Sequence, residues 1–235
     1  MKLFNKICVP AALTLAMAAA VSCSDNDDEN AGWTELIKVA TYNIQYDNQS
    51  VEAGKWDNRK DLMQKMLKDC DFDIFGVQEP YKFQIDDIVS WFPEYGWVGA
   101  SISGESEKER VHYNPIFYRK DRFTVLDNGM FWYSETPEVV NSKGWDSYSV
   151  RMCNWVKFKD NRNGKIFFHF NSHFDHKGET ARLESAKLLV SKVKEIAADY
   201  PSFCTGDYNT DQTSAPYQII IMSDLMDSYS KAQYR

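Results

Sequence analysis

Cysteine is scarce in this sequence, and its cysteines are widely separated. The 235 residues contain five cysteines, and none of them forms a C-x-x-C pair. Closely spaced cysteine pairs are the usual sign of a structural zinc site or a redox-active dithiol. Their absence disfavours both classes, and the cysteines of the globular part are predicted to be buried thiols.

Several motifs of well-known hydrolases are also missing. The sequence has no H-E-x-x-H zinc motif, no G-x-S-x-G nucleophile turn and no G-x-x-x-x-G-K-[ST] phosphate loop. These absences argue against a zincin, an α/β-hydrolase with a serine nucleophile and a P-loop protein. Nucleophilic catalysis by serine or cysteine is therefore poorly supported.

Positive charge is in the minority. The formal net charge is −7, and it becomes −9 if a leader containing Lys2 and Lys6 is removed. Because nucleic-acid binding is largely electrostatic, this balance does not favour long-range attraction to DNA or RNA. It does not exclude a nuclease, since a bound cation changes the local field.

Residues 1–22 are predicted to be a lipoprotein signal peptide. The start is basic, and residues 7–21 form an apolar stretch too short to span a bilayer comfortably. Ala20-Val21-Ser22 precedes Cys23 and resembles a bacterial lipobox, which implies cleavage before Cys23 and lipidation of its thiol. The alternative is an ordinary signal peptide with an incidental cysteine.

Residues 23–34 are predicted to be an acidic, lipid-anchored tether. All six residues 25–30 are Asp, Asn or Glu, a composition typical of a solvated linker. The run also resembles the acidic export signal of surface lipoproteins of Bacteroidetes. We therefore expect an exported lipoprotein of the outer membrane. The resemblance implies the cell surface, and the inner face of the outer membrane is the open alternative.

The remaining residues, 35–235, suit one mixed α/β domain in which strands and helices alternate. The predicted strands cover residues 36–46, 73–77, 97–100, 115–118, 123–126, 153–158, 166–170 and 201–204. The predicted helices cover residues 56–70, 83–92, 179–198 and 217–222. Asp160 to Gly164 has the chemistry of a hairpin turn between two of the strands.

Polar side chains follow four of the predicted strands. Asn43, Glu79, His173 and the pair Asp207 and Asn209 each come at or just after the end of an apolar run. Active sites of α/β sheets gather at the carboxyl ends of strands, so these residues are expected in one cleft. Oxygen ligands of this kind suit a hard divalent cation such as Mg²⁺. Each residue alone can equally be a turn or loop residue.

The residue types suggest separate roles. Glu79 is predicted to bind the metal, and Asn43 to orient the metal or a phosphoryl oxygen. Asp207 is expected to hold or deprotonate the attacking water, and Asn209 to donate a hydrogen bond to phosphate. His173 is the histidine most suggestive of catalysis, through contact with the phosphate or the leaving oxygen.

Further candidates lie nearby in the sequence. Asp175 and His176 are second-rank catalytic candidates. Tyr113, Arg151 and Asn171 are assigned to phosphate binding, since the planar fork of arginine pairs two oxygens. A strand edge and a surface cation are the alternatives for Tyr113 and Arg151.

Taken together, the ordered segments resemble the endonuclease/exonuclease/phosphatase superfamily. The resemblance rests on Thr41-Tyr42-Asn43, Gln78-Glu79, Tyr113 to Tyr118, Arg151 to Trp155, Asn171 to His176, Arg182-Leu183 and Gly206 to Asn209. It implies a four-layer α/β sandwich of two mixed β-sheets flanked by helices. It also implies Mg²⁺ or Mn²⁺ and hydrolysis of a phosphoester by in-line attack of water. By the family pattern, Asn43 and Glu79 serve the metal, whereas Asp207, Asn209 and His173 serve water and phosphate.

One departure from that pattern concerns the C-terminal end. Members of the superfamily end on strands that carry an aspartate and a Ser-Asp-His motif. Here Ser223-Asp224-Leu225 lacks the histidine, and no histidine follows His176. The expectation is a domain incomplete at its C-terminal end, lacking its last strands.

The predicted function is metal-dependent hydrolysis of a phosphodiester or phosphomonoester by activated water. A small molecule or lipid head group is favoured as substrate over nucleic acid, and the chain is expected to be a monomer. A secreted nuclease is one alternative. A non-catalytic surface ligand-binding protein, or an inactive truncated remnant, is the other.

Overall fold

A computed structural model of the chain describes residues 36–105 and 107–232. The predicted signal peptide, the predicted tether and Cys23 lie outside the described residues. Within the described residues, no helix is both long and apolar enough to cross a membrane.

The first sheet combines parallel and antiparallel pairing. Its order is β1-β2-β4-β3. Its strands are β1 (Val39–Asn43), β2 (Ile74–Gln78), β3 (Tyr95–Val98) and β4 (Ile116–Arg119). β1 runs parallel to β2, whereas β4 pairs antiparallel with both β2 and β3. β2 is buried along its whole length, as expected for a central strand covered on both faces.

The second sheet is also mixed. Its order is β5-β6-β7-β8. Its strands are β5 (Phe123–Trp132), β6 (Met152–Asp160), β7 (Ile166–His173) and β8 (Ser202–Asp207). β5, β6 and β7 pair antiparallel, and β7 runs parallel to β8. The predicted hairpin turn joins β6 to β7, with Gly164 at φ +75°, a conformation that glycine adopts without strain.

Helices cover the outer faces of the two sheets. They are α1 (Lys60–Cys70), α2 (Lys82–Trp91), α3 (Glu179–Ala197), α4 (Ala215–Ile221) and α5 (Ser228–Lys231). α1 begins four residues later than predicted. The short 3₁₀ turn Trp56–Asn58 occupies the expected first turn, and a second one, Glu52–Gly54, precedes it. The buried Asp47 carboxylate accepts the Trp56 backbone N–H at 2.9 Å and holds this segment in place.

Three apolar clusters define four layers. One cluster packs α1 and α2 against β2 and β4, with Leu67 and Ile88 meeting Phe75. A second packs α3 and α4 against the other sheet, where Leu189 meets Phe170. The third lies between the sheets and contains the residues Ile74, Ile116, Phe123, Val156, Phe158 and Phe167. The order of helices, sheet, sheet and helices confirms the predicted four-layer sandwich.

The two sheets are also joined by buried polar groups near the ends of β2 and β7. The Gln78 Nε2 donates to Asn171 Oδ1 at 2.6 Å. The Asn171 Nδ2 donates to the carbonyl oxygens of Val77 at 2.9 Å and Pro115 at 3.0 Å. A Cβ on Gly76 would stand 2.5 Å from Asn171 Oδ1 and 2.3 Å from Thr205 Oγ1, so only glycine permits this close approach. The network fixes one sheet relative to the other beneath the candidate site.

The prediction of buried thiols is correct for two of the three described cysteines. Cys153 and Cys204 are buried, and burial raises the pKa of Cys153 to about 12. Cys70 is exposed, contrary to the prediction, because it is the last residue of α1 and lies on the solvent side.

Candidate active site

The predicted site residues lie where two pairs of parallel strands end. In the register of the sheets, Asn43 of β1 is opposite Gln78 of β2, and His173 of β7 is opposite Asp207 of β8. Parallel strands bring their carboxyl ends to the same edge, and the packed sheets bring the two edges together. Side chains more than one hundred residues apart in sequence therefore meet in one cleft.

Two carboxylates converge on the Asn43 side chain. The Asn43 Nδ2 donates to Glu79 Oε1 at 2.9 Å and to Asp207 Oδ2 at 2.8 Å. Asn43 is held in turn by the Gln45 backbone N–H, which donates to its Oδ1 at 2.9 Å. Both carboxylates are mostly shielded from solvent, with side-chain exposures of 19% and 20%. Negative charge is thus concentrated at a point where a cation would be stabilised.

The backbone is unusual directly after three of these strands. Gln45, Glu79 and Asn209 have φ values of +56°, +70° and +48°. Residues other than glycine rarely adopt this left-handed region, and such outliers concentrate at functional sites. Here the conformation turns the Glu79 and Asn209 side chains toward the ends of the sheets.

His173 completes a group with the two carboxylates. Its Nε2 lies 3.9 Å from Glu79 Oε1 and 3.8 Å from Asp207 Oδ2. One ligand atom from each of the three residues falls within 4.8 Å of the others. Burial, and then the nearby Arg151 cation, hold the pKa of His173 well below its ordinary value. His173 is therefore a neutral imidazole that can donate one hydrogen bond and accept another.

Arg151 lies beside His173 with its guanidinium almost completely buried. Its Nη1 is 3.0 Å from each ring nitrogen of His173, and its Nη2 donates to His176 Nδ1 at 2.9 Å. Its Nε is 3.4 Å from Asp175 Oδ2. The structure therefore brings Arg151, Asp175 and His176 to the site, as a cation facing the same cleft as the two carboxylates.

Asp175 is fully buried and anchors this side of the cleft. Its carboxylate accepts the backbone N–H groups of Gly178 at 2.8 Å, Lys177 at 2.9 Å and Ser149 at 3.0 Å. Burial alone would raise the pKa of Asp175, but the hydrogen bonds from these backbone groups outweigh it and lower the pKa below its ordinary value. Asp175 is therefore a permanent anion whose geometry positions Arg151.

Asn209 reaches the cleft from the loop after β8. Its backbone N–H donates to Asp207 Oδ1 at 3.0 Å, which is the turn geometry that the sequence also allowed. Its Nδ2 donates to the Phe174 carbonyl at 2.9 Å. The amide nitrogen carries a second hydrogen, so Asn209 retains one donor for a ligand.

Two predicted phosphate-binding residues lie elsewhere and are corrected. Asn171 is fully buried between the sheets, and its amide is committed to the carbonyl groups of Val77 and Pro115. Tyr113 is fully buried as well, its hydroxyl donates to the Lys108 carbonyl at 2.8 Å, and its ring packs against Trp97. Neither side chain faces the cleft. Asn171 shares a face of β7 with His173 but lies two residues further from the strand end, between the sheets, and Tyr113 is buried in the apolar cluster beneath α1 and α2.

The cleft has a volume of about 800 Å³ and also contains residues that were not predicted. Tyr46, Tyr81 and His112 line it together with Glu79, Arg151 and His173. Burial is the main cause that lowers the pKa of His112. His112 lines the cleft whereas its neighbour Tyr113 is buried, and since both precede β4 in an irregular segment, no periodic pattern in the sequence marked His112.

The donor set fits a divalent cation. Glu79 and Asp207 offer carboxylate oxygens, and the Asn43 carboxamide beside them, which here donates its Nδ2 to both carboxylates, carries a further oxygen. Carboxylate and carboxamide oxygens suit Mg²⁺ or Mn²⁺ better than zinc. Among the described residues, the convergent group at this site holds one histidine and no cysteine, so it does not favour a softer metal.

Comparison with known proteins identifies the family. A sequence model of the Endonuclease/Exonuclease/phosphatase family matches residues 40–233. The chain belongs to this family. Its members are typically metal-dependent phosphoesterases, which agrees with the acidic and imidazole groups of the cleft.

Solved structures of Bacteroides proteins are similar to the chain. An endonuclease/exonuclease/phosphatase protein from Bacteroides vulgatus is 41% identical with a TM-score of 0.75, covering 80% of this chain and 71% of that one. A mannosyl-6-phosphatase from Bacteroides thetaiotaomicron VPI-5482 is 38% identical with a TM-score of 0.75, covering 80% of this chain and 70% of that one. Both likenesses extend to sequence as well as fold.

A curated relative is more distant. The CCR4-Not complex 3'-5'-exoribonuclease subunit Ccr4 of Aspergillus oryzae is 25% identical over 209 residues, which cover 76% of this chain. The chain spans only 28% of the length of that relative.

Proposed function

We propose that this chain is a divalent-metal-dependent phosphatase that releases inorganic phosphate from a small-molecule phosphomonoester, and that its substrate class is the sugar phosphates. One observation carries the proposal: Glu79, Asp207 and His173 meet within 4.8 Å of one another, in the same cleft as the buried Arg151 cation. A phosphate dianion is stabilised by a metal cation on one side and a guanidinium on the other, and this cleft offers both positions.

Glu79, Asp207 and Asn43 would hold Mg²⁺ or Mn²⁺. When bound, such an ion neutralises charge on the phosphoryl group and polarises it toward attack by water. Glu79 is the principal ligand in this proposal, because its strained backbone conformation directs the carboxylate toward the other two residues.

The protein's own residues would bind and orient the phosphoryl group. Arg151 offers planar N–H donors to its oxygens, and Asp175 keeps that guanidinium in position. The neutral His173 donates one N–H, and Asn209 offers the second hydrogen of its amide. Asp207 would orient the attacking water in line with the leaving oxygen and accept its proton. As the new P–O bond forms, the ester P–O bond breaks and the sugar oxygen leaves with a proton from solvent.

A small substrate is favoured by two observations. The net charge of −7 gives no electrostatic attraction for a polyanion. The mannosyl-6-phosphatase is 38% identical to this chain in a comparison that covers 80% of this chain. A nuclease is the second candidate, because a Ccr4 exoribonuclease is 25% identical over 76% of the chain. A non-catalytic binding protein has no need for two convergent carboxylates beside a buried arginine.

The localisation proposal rests on residues 1–34. The lipobox-like Ala20-Val21-Ser22 before Cys23 supports a lipid anchor at that thiol and an outer-membrane location. In the native host, Cys23→Ser should move the protein from the membrane fraction to the soluble fraction. Retention of the variant in the membrane would contradict the anchor. The monomeric state and the incomplete C-terminal end stay predictions.

Hydrolysis itself is tested with the purified chain and several phosphoesters. We expect phosphate release from hexose 6-phosphates that requires Mg²⁺ or Mn²⁺, stops with a chelator, and drops about 10²-fold or more in Glu79→Gln. Glu94→Gln changes an exposed glutamate outside the cleft and is the matched control. Faster cleavage of an oligonucleotide than of any sugar phosphate would favour the nuclease, whereas binding without turnover would favour the non-catalytic protein.

A further inference from the structure

One wall of the cleft is built from three aromatic rings that the proposed chemistry does not use. The centroids of Tyr46 and His112 lie 5.1 Å apart with a 29° interplanar angle. Those of Tyr46 and Tyr81 are 5.6 Å apart at 46°, and those of Tyr81 and His112 are 5.7 Å apart at 43°. We call Tyr46, Tyr81 and His112 the aromatic wall. The rings of Tyr46 and His112 are stacked, and the Tyr81 ring is tilted against both.

The aromatic wall is held in place from behind. Gln84 is fully buried and links the segments that carry the two tyrosines. Its Oε1 accepts the backbone N–H groups of Asp47 at 3.1 Å and Tyr81 at 3.0 Å, and its Nε2 donates to the Gln45 carbonyl at 3.1 Å. The Arg59 guanidinium also donates to the Tyr46 carbonyl at 3.1 Å. A surface ordered before a ligand arrives loses little conformational entropy on binding.

The aromatic wall is continuous with the phosphate end of the cleft. Tyr46, Tyr81 and His112 line the same cavity as Glu79, Arg151 and His173. A phosphoryl group held by Arg151 would therefore place the organic part of its ester within this cavity, where the wall is available to it. Arg110 stands at the outer rim, with its guanidinium carbon 5.8 Å from the Tyr81 ring centroid.

The chemistry of the wall favours a sugar ring over a planar base. Aromatic faces carry partial negative charge and attract the positively polarised C–H groups of a pyranose face. The Tyr46 hydroxyl forms no hydrogen bond with any residue in 36–105 or 107–232, so it is free to bind a sugar hydroxyl.

We propose that Tyr46, Tyr81 and His112 form a platform that binds the pyranose ring of a hexose 6-phosphate while its phosphate lies at Arg151 and the carboxylates. This inference rests on the proposed function and assigns the residues that select the substrate. Since the platform touches the part of the substrate away from the reacting phosphorus, its removal should raise KM and leave kcat nearly unchanged.

The test compares two phosphomonoesters of primary alcohols, a hexose 6-phosphate and methyl phosphate, in the presence of Mg²⁺. Tyr46→Leu and Tyr81→Leu keep apolar bulk but remove the ring. We expect each to raise KM for the hexose 6-phosphate about three- to tenfold and to leave KM for methyl phosphate within about twofold. Tyr81→Phe keeps the ring and should raise KM for the hexose 6-phosphate less than Tyr81→Leu does. Tyr200→Leu, at a half-exposed tyrosine outside the cleft, should change neither value.

Other outcomes overturn the platform. An equal loss on both esters would mean that the rings only support the phosphate site, and no loss would mean that the sugar does not touch them. A larger wall-dependent affinity for adenosine 5′-monophosphate would make the wall a base-binding surface. If wild type hydrolyses neither ester, the proposed function fails instead. Calorimetry, which needs no turnover, then compares the affinity of wild type and Tyr81→Leu for hexose 6-phosphate. Weaker binding by Tyr81→Leu supports the platform, whereas equal binding or no binding overturns it.

Discussion

The buried His169 makes the stability of the protein sensitive to acid. Its side chain is fully buried between the sheets, with Nε2 2.7 Å from Thr205 Oγ1 and with no hydrogen-bond partner for Nδ1 among the described residues. Burial lowers the pKa of His169 from 6.5 to about 3. The unfolded chain therefore takes up a proton as pH falls below 6.5, whereas the folded chain does not until about pH 3. Stability is full above pH 6.5 and is lost as pH falls toward 3.

The size of this loss follows from linkage. One pH unit between the two pKa values corresponds to about 1.4 kcal/mol, so His169 should cost about 2 kcal/mol of unfolding free energy between pH 7 and pH 5. The assay is urea unfolding at both pH values for wild type and His169→Gln, a neutral side chain that retains an amide donor for Thr205. Other groups titrate in both proteins, so the difference between them isolates His169. Identical losses in wild type and variant would refute the reasoning.

Three further substitutions test the packing and the anchor of the site. Gly76→Ala should lower the free energy of unfolding by about 1–3 kcal/mol, because the added Cβ would clash with the side chains of Asn171 and Thr205. Equal urea midpoints for wild type and variant would contradict this clash. Arg122→Met should lower the free energy of unfolding by about 3–5 kcal/mol, because it leaves the buried Asp160 carboxylate, 3.0 Å from Arg122 Nη2, without its partner. An unchanged melting temperature would argue against the importance of this ion pair. Asp175→Asn should raise KM for a phosphomonoester about tenfold, because it releases the Arg151 guanidinium. The far-UV spectrum is the folding control, and wild-type kinetics would show that Asp175 is not needed to position Arg151.

The architecture was predictable because local signals and burial agree. Apolar alternation marks the strands, and the long amphipathic pattern ends within one residue of the end of α3. The structure also brings Asn43, Glu79, His173 and Asp207 together, because each ends or follows a strand and parallel strands share an edge. The predicted strands ended too early at β5, β7 and β8. Polar residues near the ends of these strands resemble turn residues, but neighbouring strands of the same sheet pair with them.

The rest of the site depends on which way side chains point in three dimensions. Asn171 resembles a ligand-binding residue in sequence, yet it satisfies two carbonyl groups of the other sheet. Tyr113 and His112 are neighbours that alternate between the core and the cleft, and sequence spacing alone does not say which faces which. The aromatic wall is equally hidden, since Tyr46 and Tyr81 belong to different loops that only the buried Gln84 brings together.

The most direct test of the central claim is the binding of a metal ion at the convergent carboxylates. Titration calorimetry of the metal-free chain with Mn²⁺ should show one ion bound per chain in wild type and in Glu94→Gln. The same titration should show loss of that site in Glu79→Gln, with an unchanged far-UV spectrum. Undiminished one-to-one binding by Glu79→Gln, or no binding by wild type, would contradict a metal-dependent phosphoesterase site at Glu79, Asp207 and Asn43.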